Sequence, residues 1–123
     1  GARIVVNDLD AEPADEVAHE IIRDGGEAVA VPGNVIDAGF ADRYVGTAIA
    51  RFGGLDIIVN NAGYTWDATI GKTTDEQFEA MVAIHLKAPF QLLRAAAEPV
   101  RRMAKQEAES GNRIHRKVVN ISS

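Results

Sequence analysis

The chain has 123 residues, 46% of them hydrophobic and 25% charged, which suits one globular domain of ordinary composition. Its net charge of −5 disfavours a nucleic-acid or anionic-membrane partner, and the absence of cysteine excludes disulfides, thiolate metal ligands and a cysteine nucleophile. No apolar run reaches the length of a membrane span and no basic-then-apolar leader opens the sequence, so a cytoplasmic protein is expected.

Short apolar runs alternate with amphipathic segments along the chain. The runs predict strands at residues 3–8, 28–32, 55–59 and 117–121. Apolar residues three and four apart predict helices between them, which start at Asp10 or Ala11, at Asp37 and at Thr74. This alternation predicts parallel βαβ units, and therefore an α/β fold in three layers, with a parallel sheet covered by helices on both faces.

The third helical segment carries the clearest start signal. Thr74, with Gln77 three residues later, has the spacing of a capping box. Pro99 is expected to bend or divide this long segment, and Met103–Arg116 is expected to be a frayed helix end and a surface loop.

The most informative stretch joins a predicted strand to a polar turn. Leu55–Val59 suits a strand buried on both faces, and the amides of Asn60 and Asn61 follow it directly, before Ala62 and Gly63. Open α/β sheets bind their ligands at the carboxyl ends of the strands, and these small residues would let a flat ligand approach closely. A plain strand-to-loop turn is the simpler alternative, but buried amides need hydrogen-bond partners.

Two further polar residues end predicted strands. Asp8 could accept hydrogen bonds from the hydroxyls of an adenosine ribose, but on spacing alone an aspartate that caps the next helix is favoured. Asn34 could present its amide to an adenine edge, although an asparagine in a turn more often bonds its own backbone.

His85, Ser122 and Ser123 are weaker candidates. His85 lies within a helical stripe, where a packed histidine is the usual role, and without a second ligand at suitable spacing no metal site is predicted. Ser122 and Ser123 follow the last strand, where a hydroxyl could bind a substrate carbonyl.

Together these positions resemble the short-chain dehydrogenase/reductase family. Asn60–Gly63 matches one of its most specific motifs, and Val118–Ser123 resembles its fifth strand, which ends at the catalytic serine. Asp8 matches the acid after the second strand, Asn34-Val35 an Asp-Val pair that flanks adenine, and Ile84–Phe90 the fourth helix. The resemblance covers essentially all of the chain, as the second to fifth strands of the family.

The resemblance implies an oxidoreductase that transfers a hydride between a nicotinamide dinucleotide and a small-molecule carbonyl or secondary alcohol. Ser123 would polarise the substrate carbonyl, with Ser122 a less favoured neighbour, and His85 stands where the family usually has a catalytic asparagine. Asp8 would favour NAD over NADP by repelling a 2′-phosphate, and a homo-oligomer is expected. The implied cofactor-binding residues are Asp8, Asn34, Val35, Asn60, Ala62 and Gly63.

Within the family, Val5–Leu9 and His85–Lys87 are similar to hydroxyacyl-thioester dehydrogenases and 3-oxoacyl-carrier reductases. The sequence contains neither the family's Gly-x-x-x-Gly-x-Gly turn nor its Tyr-x-x-x-Lys pair. Residues 1–123 are therefore expected to form a partial NAD(P)-binding Rossmann-like domain, an internal fragment that is inactive as it stands. The alternative is a catalytically dead α/β fragment that self-associates or binds a nucleotide weakly.

The resemblance also predicts a strand order. The family's first strand, which would lie between the first and third strands of this chain, is not in the sequence. We expect the remaining strands to close the gap in the flavodoxin-like order 2-1-3-4, or a partner to supply strands to the exposed edges.

Overall fold

The computed structural model of the chain describes residues 1–122, in which strands and helices alternate. The strands are β1 (Arg3–Val6), β2 (Glu27–Ala30), β3 (Ile57–Asn60) and β4 (Lys117–Asn120). The helices are α1 (Ala11–Arg23), α2 (Phe40–Phe52), α3 (Asp75–Val82) and α4 (Ala88–Glu109), with a 3₁₀ turn at Ile70–Lys72 and a π-helical turn at Ala83–Lys87.

The start of α1 agrees with the sequence and the start of α2 does not. Asp10 precedes α1 with extended backbone, as expected of an N-cap residue. Helix α2 begins at Phe40 rather than beside Asp37, because Gly39 takes a left-handed conformation with φ of 78°. The preceding residues form turns, in which the amide of Asp37 donates to the carbonyl of Asn34.

The long helical segment after β3 is more continuous than predicted. The capping box is present, since Thr74 and Gln77 exchange hydrogen bonds between side chain and backbone. Pro99 lies inside α4 without dividing it, and the change in helical geometry is the π-helical turn, flanked by helical backbone at Val82 and Ala88. Helix α4 extends as regular helix to Glu109, so the predicted frayed end from Met103 was wrong, whereas the predicted surface loop is present over residues 110–116.

The strands form two separate parallel pairs. β1 pairs with β2, with Val5 opposite Val29, and β3 pairs with β4, with Ile58 opposite Val118. Within residues 1–122 no ladder joins β1 to β3. The α/β class with parallel strands and helices is confirmed, whereas the strand order 2-1-3-4 was wrong because the gap stays open.

Helix α2 contacts both pairs of strands and spans the gap between them. The Tyr44 hydroxyl donates to the Val5 carbonyl of β1 at 2.7 Å. The next residue, Val45, packs in a buried cluster with Ile58 of β3 and Ala96 of α4. Because one helix binds both pairs, each strand pair has a fixed position without direct β1–β3 contact.

The third strand is buried on one face only. Ile58 is 8% exposed and points into the cluster with α2 and α4, whereas Ile57 and Val59 are 55% and 54% exposed. Helix α1 packs against β1 and β2, so within the described residues it leaves this face of β3 uncovered. The prediction of a strand buried on both faces was therefore wrong.

Candidate functional site

The loops that follow β1, β2 and β3 line one open cavity of about 460 Å³, which we call the carboxyl-end cavity. Its position shows that the three strands point the same way, as the sequence predicted. All six residues expected to bind a cofactor line this cavity, namely Asp8, Asn34, Val35, Asn60, Ala62 and Gly63.

Asn7 connects the ends of β1 and β2. Its side-chain amide donates to the carbonyls of Val31 and Gly33, each at 3.0 Å, and to that of Asp8 at 3.1 Å. The backbone adds a bond from the Gly33 amide to the Asp8 carbonyl at 2.9 Å. The two loops that carry Asp8 and Asn34 are therefore fixed relative to each other.

The Asp8 carboxylate has a local role that leaves it able to bind a ligand. Its Oδ1 accepts from the backbone amide of Asp10 at 3.1 Å, at the start of α1. In the described residues this carboxylate bonds only through Oδ1, so Oδ2 is the oxygen that a ligand hydroxyl can reach. Asp8 can therefore bond the start of α1 through Oδ1 and accept a hydrogen bond from a ribose hydroxyl through Oδ2.

The turn that carries Asn34 is tightly packed. Gly33 has φ of 140°, and a Cβ atom there would lie 2.7 Å from Nη2 of Arg43 and 3.3 Å from the Phe40 ring. Asn34 accepts a hydrogen bond from the Ile36 amide through Oδ1 at 3.2 Å, which is the backbone role expected of a turn asparagine. The side-chain NH₂ group of Asn34 is then the group that can donate to a base.

At the other side of the cavity, the final asparagines of β3 and β4 are hydrogen-bonded to each other. The Asn60 side chain donates to Oδ1 of Asn120 at 2.8 Å, and the Asn60 carbonyl accepts from the Ile121 amide at 3.0 Å. The sequence predicted that an amide at the end of this strand bridges neighbouring strands, and the Asn60–Asn120 bond is such a bridge. It orients the backbone just before Ala62 and Gly63.

His85 braces the loop after β3 from outside the cavity lining. Its Nε2 lies 2.8 Å from the Tyr64 carbonyl, and a Cβ atom on Gly63 would lie only 2.5 Å from its Cε1. A side chain at position 63 would therefore force the His85 ring to move, because the π-helical turn places His85 against the loop. The other catalytic candidate, Ser123, lies outside the described residues.

Sequence reasoning missed Asn7 and Tyr44. Both carried a signal, because a polar side chain next to apolar residues of a strand or a helical stripe needs a hydrogen-bond partner. Tyr44 is partly buried, and burial raises the pKa of its phenol, so the hydroxyl stays protonated and donates to the Val5 carbonyl. It also lines the carboxyl-end cavity.

A sequence model described as short chain dehydrogenase matches residues 1–123. The chain belongs to the short-chain dehydrogenase family. The resemblance inferred from Asn60–Gly63 and the strand after it is thereby confirmed, and with it an oxidoreductase family.

Among curated relatives, an uncharacterized oxidoreductase of Mycobacterium bovis is 45% identical over 82% of this chain and 40% of its own length. A hydroxyacyl-CoA dehydrogenase of Mycobacterium tuberculosis is 41% identical over all of this chain and 39% of its own length. The chain thus spans about two fifths of these family members.

Solved family members have the same arrangement. A short chain dehydrogenase from Mycobacterium avium is 38% identical, with a TM-score of 0.83 over all of this chain and 45% of its own. A metagenomic short-chain oxidoreductase solved in complex with NADP is 31% identical, with a TM-score of 0.81 over all of this chain and 52% of its own. The NADP in that family member gives no specific support to the NAD preference inferred from Asp8.

The donor set fits the adenosine end of such a dinucleotide. A carboxylate oxygen at Asp8, an amide at Asn34 and small residues at Ala62 and Gly63 face one cavity.

Along the described residues, no helix is both long and apolar enough to cross a membrane.

Proposed function

We propose that residues 1–123 form the adenosine-binding half of a nicotinamide-dinucleotide site in a short-chain dehydrogenase. The observation that carries this proposal is the carboxyl-end cavity, because all six predicted cofactor residues line it. When bound, the dinucleotide supplies the hydride donor or acceptor. The residues of this chain bind and orient its adenosine end.

Each strand end contributes a different contact in this proposal. Asp8 accepts hydrogen bonds from the ribose hydroxyls through Oδ2, and its charge disfavours a 2′-phosphate. Asn34 and Val35 flank the base, and Ala62 and Gly63 form a flat surface beside it. A Cβ at Gly63 would push against the His85 ring and shift this surface. NAD is therefore the proposed cofactor, ahead of NADP.

The proposed catalytic groups are Ser123, which would polarise the substrate carbonyl, and His85. The bond from His85 to the Tyr64 carbonyl supports a role for this histidine in orienting the loop beside the cofactor. The sequence of 123 residues contains no Tyr-x-x-x-Lys pair to act as general acid, so we expect no hydride transfer by this chain alone. Oxidation of NADH by the purified chain would refute that expectation.

The proposed substrate is a 3-hydroxyacyl or 3-oxoacyl thioester. Support comes from the resemblance of Val5–Leu9 and His85–Lys87 to enzymes of that class and from 41% identity with a hydroxyacyl-CoA dehydrogenase. The test is an assay of an enzyme that contains residues 1–123, with 3-hydroxyacyl-CoA against a plain secondary alcohol of equal chain length. Equal rates with both compounds would reject the thioester.

A homo-oligomer is also proposed, through an apolar stripe that runs along α3, the π-helical turn and α4. Five large apolar side chains spaced three or four residues apart are exposed there, by 63%, 36%, 66%, 57% and 39% in chain order: Phe78, Val82, Leu86, Phe90 and Leu93. An apolar stripe of this length on a helix surface favours contact with another protein surface. A second copy of the chain is the proposed partner.

Calorimetry with separate halves of the cofactor tests the cofactor proposal. We expect 5′-AMP and NAD to bind the purified chain, and nicotinamide mononucleotide not to bind, because the cavity residues match the adenosine end. Binding of nicotinamide mononucleotide alone, or of none of the three, would overturn the proposal.

A further inference from the structure

The turn that follows β2 is held by side chains from two directions. The carbonyls of Val31 and Gly33 accept from the Asn7 side chain, each at 3.0 Å. The Pro32 carbonyl between them accepts from Nη2 of Arg43, also at 3.0 Å. Three consecutive carbonyls are thus bonded to side chains of other segments, and the position of the turn is fixed by the protein itself.

Arg43 is held in place in its turn. Its guanidinium lies over the ring of Phe40, 5.2 Å from the centroid, and Phe40 is buried. Gly33, with φ of 140°, leaves the space that the guanidinium fills, since a Cβ atom there would lie 2.7 Å from Nη2. The turn therefore has no room to shift toward α2 when a ligand binds.

The fixed turn gives the carboxamide of Asn34 one orientation. Oδ1 accepts from the Ile36 amide at 3.2 Å, and the backbone carbonyl of Asn34 accepts from the Asp37 amide at 3.0 Å. A reversed carboxamide would place its NH₂ group against the Ile36 amide, so that two donors would face each other. In the described part of the chain this side chain bonds only through Oδ1, which leaves both of its N–H groups to a ligand.

The neighbouring polar groups in the carboxyl-end cavity already have other roles. Among the described residues, Asp8 is the one charged side chain that lines the cavity, and its free oxygen is assigned to the ribose. The Tyr44 hydroxyl donates to the Val5 carbonyl. On the β1–β2 side of the cavity, Asn34 therefore supplies the hydrogen bonds to a base, and it supplies them as a donor.

Purines differ in the group that they carry at carbon 6. Adenine carries an amino group, which is a donor, whereas hypoxanthine, like guanine, carries an oxygen, which is an acceptor. A carboxamide that presents its N–H groups matches the oxygen and opposes the amino group. An aspartate at this position, as in the Asp-Val pair of the family, would present an acceptor and match adenine instead.

We propose that Asn34 makes the carboxyl-end cavity selective for a purine with an oxygen at carbon 6. Inosine 5′-monophosphate (IMP) then binds more tightly than AMP, and nicotinamide hypoxanthine dinucleotide is accepted alongside NAD. The contact between Asp8 and the ribose is the same for both bases. This inference rests on the proposed function, since it requires the base of a nucleotide to lie beside Asn34.

Calorimetric titration of the purified chain with IMP and with AMP tests this selectivity. Ribose and phosphate are identical in the two nucleotides, so the ratio of their dissociation constants reports the base alone. We expect wild type to bind IMP at least about threefold more tightly than AMP, because a donor–acceptor pair replaces two facing donors.

Asn34→Asp reverses the polarity of the group while keeping its shape. One carboxylate oxygen can still accept from the Ile36 amide, and the other can accept from the amino group of adenine. We expect AMP to become the tighter ligand, with a change of at least about tenfold in the ratio.

Asn112→Asp is the matched control, because it makes the same change of charge in the loop after α4, away from the cavity lining. Its ratio should equal that of wild type. A ratio for Asn34→Asp within about twofold of the wild-type ratio would overturn the proposal. Tighter binding of AMP than of IMP by wild type would overturn it as well.

NMR of the wild-type chain decides the matter if Asn34→Asp does not fold. The side-chain NH₂ signals of Asn34 should shift further with IMP than with AMP, and equal shifts would contradict the proposal. If neither nucleotide binds, the proposed function is overturned together with this inference. Binding of both nucleotides with no dependence on Asn34 overturns this inference alone.

Discussion

At the scale of single residues, the carboxyl-end cavity depends on side chains that already have structural partners. Asp8 bonds the start of α1 through one oxygen, and Asn34 bonds its own turn through its carbonyl oxygen. Each retains a second polar atom that can bind a ligand. Asn7 lies behind both and fixes their spacing with its three donated bonds.

Asp8 is predicted to set the choice between NAD and NADP. In Asp8→Ala, we expect NAD affinity to fall about tenfold, because a hydrogen bond to a charged group is removed, and NADP affinity to rise as the repulsion disappears. Calorimetric titration with both dinucleotides measures the ratio. Asp10→Asn is the control, since it removes the same charge two residues away from a side chain that makes no cap bond. An unchanged ratio in Asp8→Ala would reject the assigned role.

Gly63 is predicted to be coupled to His85. A Cβ at position 63 would lie 2.5 Å from the imidazole, and the exposed ring can rotate away only by breaking its bond to the Tyr64 carbonyl. Gly63→Ala should therefore lower the free energy of unfolding by about 1 kcal/mol, measured by urea denaturation. Gly71→Ala should have little effect, because a Cβ there meets no atom within 4 Å. The same loss for Gly63→Ala in a His85→Ala background would contradict the coupling.

At the scale of elements, a salt bridge connects the end of α4 to Arg116, the residue directly before β4. The Arg116 guanidinium donates to both carboxylate oxygens of Glu107, at 2.9 and 2.5 Å, and to the Leu55 carbonyl at 3.1 Å. Hydrogen bonding from Arg116 lowers the pKa of Glu107, and the same pairing raises the pKa of Arg116. Both partners are mostly shielded from solvent, with 16% and 18% of their side chains exposed.

This salt bridge predicts a pH dependence of stability. Because the pKa of Glu107 is lower in the folded chain than in the unfolded chain, its contribution is present above the ordinary glutamate range. It is lost as pH falls through the folded value. The difference in unfolding free energy between wild type and Glu107→Gln should therefore be largest near neutral pH and shrink in acid.

Glu98→Gln is the matched control for that series. Glu98 pairs with Arg101, but its side chain is 64% exposed, and exposed pairs contribute little. Urea denaturation across the acid range should show almost no pH-dependent difference for Glu98→Gln. A constant difference for Glu107→Gln between neutral and acid pH would contradict the account of the salt bridge.

The starts of helices were predictable where a local sequence signal marks them. A helix end was missed where a contact distant in the sequence determines it. The capping box at Thr74 and the entry to α1 at Asp10 are local, and both helices begin there. The extension of α4 past Met103 brings Glu107 to Arg116, a partner that the sequence pattern does not connect to it. The π-helical turn at Ala83–Lys87 likewise has no signal in the spacing of apolar residues.

At the scale of the whole molecule, it was predictable that the candidate residues lie together at one edge of the sheet, but the pairing of the strands was not. Motifs at strand ends, such as Asp8 and Asn60–Gly63, identify one edge of a parallel sheet without knowledge of strand order. Strand order depends on helix packing. Helix α2 contacts both Val5 of β1 and Ile58 of β3, while the gap between these two strands stays open. The uncovered faces of Ile57 and Val59 follow from that same open arrangement.

The apolar stripe on α3 and α4 is predicted to mediate self-association. We expect light scattering after size exclusion to show a dimer or larger species for wild type and a monomer for Phe90→Glu, since a charge would be buried in the contact. Ile114→Glu is the control, because Ile114 is 49% exposed in the loop before β4. A wild-type monomer, or an unchanged oligomer in Phe90→Glu, would contradict the proposal.

The central claim is that the carboxyl-end cavity binds the adenosine end of a nicotinamide dinucleotide, and amide NMR during titration with 5′-AMP tests it most directly. The account predicts that the largest shift changes fall on Asp8, Gly33, Asn34 and the amides of Asn60–Gly63. Nicotinamide mononucleotide should leave these amides unchanged. Shift changes confined to other residues, or identical changes with both nucleotides, would contradict the account.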